Sequence, residues 1–101
     1  MRIIAGKYKG RHIYSSKNQS IRPTTDRIKE YIFDILNDFI KDCSVLDLFS
    51  GSGSLGLEAL SRGGNNVTFV DIAHNSIKVL RKNIDRIKIH ENYTIVQKNA
   101  L

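Results

Sequence analysis

Val45-Leu46-Asp47-Leu48-Phe49-Ser50-Gly51-Ser52-Gly53-Ser54-Leu55-Gly56 is the stretch that decides the fold. An apolar run stops at a turn of glycines and serines. Leu57-Glu58-Ala59-Leu60 follows and is good helix-forming sequence. The order is strand, tight loop, helix. Gly51, Gly53 and Gly56 therefore form a G-x-G-x-x-G pattern in the context where that spacing has a physical meaning.

Working outward, the helix after the loop is expected from about Ser54 to Ser61. Arg62-Gly63-Gly64-Asn65-Asn66 ends it, since glycine after the last periodic residue is the usual helix stop. Val67 to Asp71 reads as a second strand. The next helix is expected to be capped by His74 or Asn75, with Ile77, Leu80, Ile84 and Ile87 on its apolar face. Glu91-Asn92 is a turn, and Tyr93 to Gln97 reads as a third strand. Strands alternating with amphipathic helices imply a parallel sheet with right-handed crossovers. The expected fold class is α/β: a β-α-β-α-β unit, one half of a doubly wound Rossmann-like fold.

Upstream, Pro23 forces Arg22 into an extended conformation, and Thr24 or Thr25 can cap a helix that carries Asp26 in its first turn. Ile28, Ile32, Ile35, Leu36 and Phe39 recur at helical spacing as one apolar stripe, and the helix runs to Ile40 or Lys41. Before it, residues 2–14 read as two short strands or a twisted hairpin. Lys7, Lys9 and Arg11 fall on one face, Tyr8, His12 and Tyr14 on the other, and Gly6 and Gly10 mark bends. The expected organisation is a basic N-terminal hairpin arm over residues 1–20 and a partial Rossmann-like domain over residues 21–101.

Charge placement supports that division. The 101 residues carry 16 Lys and Arg against 10 Asp and Glu. Residues 1–30 hold eight of those bases and only Asp26 and Glu30 as acids, so they carry the whole excess of six. Residues 31–101 balance. A basic arm on a neutral body points to a polyanionic partner, most often nucleic acid. No apolar run reaches the roughly 18 residues of a membrane span, and the N-terminus lacks a signal-peptide core, so no membrane partner is expected. The single Cys43 cannot form an internal disulfide, which fits a reducing, cytoplasmic setting; it reads as a small buried residue beside the first strand. His12, His74 and His90 have no metal-ligand spacing, and no metal is expected.

Two acids refine the site. Asp71 ends the second strand twenty residues after Gly51, where an acid accepts hydrogen bonds from both hydroxyls of a ribose; a helix-capping or solvated acid is the alternative. Asp47 ends the first strand, four residues before Gly51. NAD brings a pyrophosphate that a carboxylate there would oppose. S-adenosylmethionine brings no phosphate but an ammonium and a sulfonium, which the carboxylate suits. Asp47 can also tie down the loop through backbone N–H groups, and the two roles are compatible.

Asp47 through Gly63 closely resembles the first motif of class I S-adenosylmethionine-dependent methyltransferases and, more narrowly, the RsmD family, which methylates a guanine N2 in bacterial small-subunit rRNA. Met1-Arg2-Ile3-Ile4-Ala5-Gly6-Lys7-Tyr8-Lys9-Gly10-Arg11 resembles that family's N-terminal hairpin. Arg22-Pro23-Thr24-Thr25-Asp26-Arg27-Ile28-Lys29-Glu30 and the residues to Leu36 resemble its R-P-T-x-D-R-x-[RK]-E-x-x-F-x-x-L helix. The resemblance implies that Asp47, Ser50, Gly51 and Gly53 line the methionine end of the donor, Asp71 holds its ribose, Ile72 packs on adenine, and Asn99-Ala100 contact the adenine edge. Thr24, Arg27 and Glu30 would lie at the cofactor mouth; their alternatives are a helix cap for Thr24 and a surface ion pair for Arg27 and Glu30. Arg2, Lys7, Lys9, Arg11 and Arg22 would hold RNA, as free rRNA or in an assembling small subunit, with Tyr8 and Tyr14 available for base stacking.

The family's D/N-P-P-Y/F loop after a fourth strand has no counterpart, because Pro23 is the only proline. The chain is therefore expected to be an N-terminal portion, truncated after the third strand, with no catalytic residue of its own and no methyl transfer by itself. The first strand would keep an unpaired edge prone to self-association. The rival readings are a non-catalytic RNA-binding module on a Rossmann-like scaffold and an NAD-dependent oxidoreductase; Asp47 and the basic arm argue against the second.

Overall fold

Three parallel strands carry the fold: β1 (Ser44–Leu48), β2 (Asn66–Asp71) and β3 (Asn92–Gln97), in the order β1-β2-β3. The computed structural model describes residues 1–15, 26–48 and 50–99. The register pairs Asp47 with Phe69 and Leu48 with Val70, and across β2 it pairs Asp71 with Gln97. Helices α1 (Asp26–Ile40), α2 (Ser54–Ser61) and α3 (His74–Ile87) complete the chain, so the β-α-β-α-β order expected from the sequence is present. The central strand β2 buries Val67, Phe69 and Val70, residues whose branched or aromatic side chains suit a covered sheet. Among the described residues no helix is long and apolar enough to cross a membrane.

Helix α3 buries Ile77, Leu80, Ile84 and Ile87, the face its periodicity marked. Its start differs from expectation. Neither His74 nor Asn75 caps it; Ala73 is the N-cap residue and offers no side-chain hydrogen bond. The Asp71 carboxylate at the end of β2 instead accepts the Ala73 N–H at 2.9 Å. Helix α2 ends as expected, with the Gly63 and Gly64 N–H groups donating to the Leu60 and Ala59 carbonyls. Gly63 has φ +106°, a conformation few other residues adopt readily.

The stripe on α1 is real, but it faces outward. Ile28, Ile35, Leu36 and Phe39 are exposed, Phe39 by 70%, while the opposite face buries Lys29, Phe33 and Ile40. β1 is an edge strand among the described residues, and its Leu46 and Leu48 are exposed as well. Periodicity locates an apolar face without saying what covers it. Cys43, read as buried, is exposed, and its thiol donates to the Phe39 carbonyl.

The N-terminal segment pairs with itself only locally. Arg2 and His12 form one isolated antiparallel bridge, flanked by Ile3 N–H to Arg11 O at 2.9 Å and Ile13 N–H to Met1 O at 2.8 Å. Residues 7–10 turn rather than extend, so the alternation read there does not hold. The reason is a tertiary competitor. The end of α2 takes the backbone donors a strand would use: Lys7 N–H bonds to Ser61 O at 2.8 Å and Tyr8 N–H to Ser61 Oγ at 2.9 Å. Gly6 is required here, since a Cβ on it would run into the Ser61 carbonyl. Ile3, Tyr8 and Ile13 join the core with Leu57, Leu60 and Phe69. This cover explains why α2 is buried on nearly all sides, Glu58 included.

Candidate functional site

The C-terminal ends of β1 and β2 bring two carboxylates to the glycine loop. Asp47 Oδ2 accepts the Gly56 N–H at 3.1 Å. Asp71 Oδ2 accepts the Gly51 N–H at 2.8 Å, while its Oδ1 holds Ala73. The loop is closed from within by Gly53 N–H to Ser50 O at 2.8 Å and tied to β2 by Ser50 N–H to Val70 O at 2.9 Å. Each acid thus fixes one end of the loop: Asp47 in the anchoring role considered for it, and Asp71 while it also holds the start of α3, the capping role that was its alternative. Asp47 is 8% exposed. Burial pushes its carboxyl up to about 6, opposed by the Gly56 hydrogen bond and reinforced by Asp71. No Lys or Arg among the described residues pairs with either acid.

The three glycines have different reasons. Gly56 needs to be glycine because a Cβ would enter the Phe69 ring and crowd Asp47 Oδ2 at 3.0 Å. Gly53 has φ +88° and no room beside Leu80. Gly51 has φ +55° and nothing within 4 Å of the added Cβ, so its backbone borders open space. Beside it, Ser50 Oγ is the buried side-chain polar atom left without a hydrogen-bond partner among the described residues. A buried hydroxyl with no partner, two carboxylates with no counter-cation and an open backbone face fit a ligand that brings hydrogen-bond donors and positive charge. They do not fit a pyrophosphate. S-adenosylmethionine meets these demands.

Other residues read as site residues are placed unevenly. Ile72 follows Asp71 and is 65% exposed, a free apolar surface at the same end of the sheet; Asn99 is exposed just after β3. Arg27 and Glu30 are exposed on α1 and make no ion pair with each other. Arg22, Thr24 and Ala100 lie outside the described residues. Arg2, Lys9 and Arg11 are exposed. Lys7 instead pairs with Glu91 at 3.1 Å. Tyr8 is buried, and its hydroxyl donates to Glu91 at 2.6 Å, which takes it away from base stacking. A cleft of about 460 Å³ lined by Lys7, Ser61, His90 and Glu91 lies near the N-terminal ends of the strands, away from Asp47 and Asp71.

Two polar clusters that sequence reading missed hold this arrangement. Lys29 is fully buried, and its ammonium donates to Arg2 O at 2.6 Å and Ser54 Oγ at 3.1 Å, with Glu58 Oε1 at 3.4 Å. Burial pushes the Lys29 ammonium below its usual range, and Glu58 opposes that. Glu58 in turn accepts the Ile4 and Ala5 N–H groups at 2.9 and 3.1 Å and Arg62 Nε at 2.8 Å. The N-terminal segment is thereby bolted to the helix that starts at the glycine loop. The second cluster centres on Asn83, also fully buried. It exchanges hydrogen bonds with the Tyr14 backbone at 3.0 and 2.9 Å and donates to Ser52 O at 3.0 Å. Both residues leave a faint trace in sequence, as a polar side chain on a face otherwise occupied by Phe33 and Ile40, or by Leu80 and Ile87.

The chain matches the profile of a family described as conserved hypothetical protein 95 across residues 1–101. It is 40% identical over 101 residues to the ribosomal RNA small subunit methyltransferase D of Escherichia coli strain K12, covering all of this chain and 50% of the relative. It is 39% identical to the protein of that name from Haemophilus influenzae, covering 53% of it. The chain thus spans about half the length of these curated relatives. Among solved structures, it is similar to yhhF, a proposed methyltransferase of Escherichia coli, with a TM-score of 0.85 at 38% identity over 99% of this chain and 53% of the other. A hypothetical protein from Thermus thermophilus gives 0.84 at 28% identity, over 99% and 56%.

Proposed function

The chain belongs to the conserved hypothetical protein 95 family, and on that premise we propose that it is the donor-binding half of an S-adenosylmethionine-dependent rRNA methyltransferase of RsmD type. The complete protein would methylate a guanine N2 in bacterial small-subunit rRNA, in the cytoplasm, acting on the RNA alone or in an assembling subunit. The observation that carries the reading is the uncompensated Asp47–Asp71 pair around the open backbone of Gly51.

When bound, S-adenosylmethionine supplies a methyl group activated by its sulfonium. The residues of this chain bind and orient it. Asp47, held by Gly56, offers its free oxygen to the cationic methionine end, and Ser50 Oγ and the Gly51–Gly53 backbone line the same end. Each Asp71 oxygen spends one lone pair on the loop or on α3 and keeps another for a ribose hydroxyl. Ile72 covers the adenine face, and Asn99 and Ala100 meet its edge. Thr24, Arg27 and Glu30 border the mouth. Arg2, Lys9, Arg11 and Arg22 hold phosphates, with Lys7 set aside by its pairing to Glu91. No catalytic residue is assigned within these 101 residues; the family's D/N-P-P-Y/F loop would supply base positioning.

Isothermal calorimetry on the complete protein tests the donor site. Asp71→Ala is expected to weaken S-adenosylmethionine binding by about 100-fold, the scale of roughly 3 kcal/mol for two lost hydrogen bonds to a charged group. Unchanged affinity would overturn the assignment.

A further inference from the structure

The balance of charge over residues 31–101 hides a basic helix. From His74 to Lys88 the chain carries Lys78, Arg81, Lys82, Arg86 and Lys88 against Asp85 alone. All five cations are exposed, and none makes an ion pair with a described residue. Lys78, Lys82 and Arg86 lie four residues apart, a single row along α3 with successive cations about 6 Å apart along the helix axis. The acids that cancel them in the total belong to other elements, such as Asp34 and Asp38 on α1.

That row meets the N-terminal segment. The Arg86 guanidinium lies 3.8 Å from the centre of the Tyr14 ring, and His12 packs edge-on to the same ring at 4.4 Å. Tyr14 remains 48% exposed. Its backbone is held at both N–H and C=O by Asn83, which also grips the Ser52 carbonyl within the glycine loop. An aromatic–guanidinium platform beside a row of unpaired cations is suited to unstacked bases and their phosphates.

We propose that the outward face of α3 (Lys78, Arg81, Lys82 and Arg86) and the His12–Tyr14–Arg86 stack form one RNA-binding face, which Asn83 fixes in place relative to the glycine loop. The partner is RNA with single-stranded character. This rests on the reading of the complete protein as an RNA methyltransferase, and it moves the centre of RNA contact from the N-terminal segment alone to a surface shared with α3.

The test is fluorescence anisotropy of the complete protein with a labelled RNA hairpin carrying a single-stranded loop, over a series of KCl concentrations. K78Q/K82Q removes two charges from the face; K41E changes the net charge equally, on an exposed residue beyond the end of α1. The pair is expected to weaken binding about tenfold and to make the slope of log affinity against log salt shallower by about 1.5, as for two lost phosphate contacts. K41E should stay within about twofold of the parent. Tyr14→Leu should weaken binding while leaving the salt slope unchanged. Equal losses from K78Q/K82Q and K41E, or no loss from either, would overturn the proposal. So would binding to phosphatidylserine vesicles with none to RNA. Calorimetry with S-adenosylmethionine separates this outcome from the parent reading. A protein that binds no donor yet keeps the RNA contrast would refute the methyltransferase and leave the face standing. A protein that binds donor without the contrast would do the reverse.

Discussion

The two flanks of the sheet contrast. On the β3 side, α3 turns Ile77, Leu80, Ile84 and Ile87 inward and a row of cations outward. On the β1 side, the edge strand leaves Leu46 and Leu48 exposed, and α1, which packs on α2, turns Lys29 inward and Ile28, Ile35 and Phe39 outward. Both helices show a strong helical period of apolar residues, yet one stripe is core and the other is surface. The lesson is that periodicity marks a face, and only neighbouring elements decide which face is covered. The basic flank turns charge to solvent, whereas the apolar flank turns hydrophobic side chains to it.

Substitutions at the inward-facing charges should have the largest effect. Glu58→Ala leaves the buried Lys29 ammonium with only the more distant Asp26 carboxylate, at 3.9 Å, and strips the Ile4 and Ala5 N–H groups of their acceptor. A loss of about 3–5 kcal/mol in urea denaturation is expected. Lys29→Met with Glu58→Leu should recover most of it if the cost arises from the stranded charge; failure to recover would show that the anchored N-terminal segment dominates.

Asp47 comes next. Its folded-state value of about 6 lies above the ordinary 3.8. Between these values the folded protein retains a proton that the unfolded chain has lost. Stability from this group therefore falls as pH rises from about 4 to about 6, by up to about 3 kcal/mol. Asp47→Asn should flatten that part of the pH–stability curve and be the more stable protein at neutral pH, as read by denaturation at a series of pH values.

The apolar flank makes a prediction for the 101-residue chain itself. It should self-associate with rising concentration, and Phe39→Glu with Leu48→Lys should weaken association by about tenfold in sedimentation equilibrium, since charges on an edge strand oppose pairing. Parallel behaviour of the two proteins would mean that the flank is not a contact surface. The smallest effect belongs to Arg27→Ala, on an exposed side chain with no ion pair among the described residues, where stability should move by less than about 0.5 kcal/mol.

What the sequence made legible follows from how local each signal is. The loop, its three glycines, the strand–helix order and the ends of α2 depend on backbone chemistry carried by a few neighbouring residues, and they read directly. The position of Asp71 at the end of β2 was legible because loop and strand lengths fix it. The inward Lys29 was not, since the partners nearest its ammonium, the Arg2 carbonyl, Ser54 and Glu58, lie 25 or more residues away in sequence, and the local Asp26 is more distant at 3.9 Å. The turn at residues 7–10 was misread as alternation because the competing acceptor, Ser61, belongs to another element. Nothing in the helical pattern shows what Asn83 binds, because its link to Tyr14 and Ser52 exists only once the chain has folded. Summing charge over residues 31–101 concealed the basic face, because the sum mixes α3 with acids from elements elsewhere in the fold.

The central claim is that the carboxylates around the glycine loop select a cationic donor. Titration of the complete protein with S-adenosylmethionine at a series of pH values tests it most directly. Affinity should rise as pH passes through about 6 and Asp47 ionises, and Asp47→Asn should bind more weakly with that rise removed. An affinity independent of both pH and Asp47, or tight binding of NADH in its place, would contradict it.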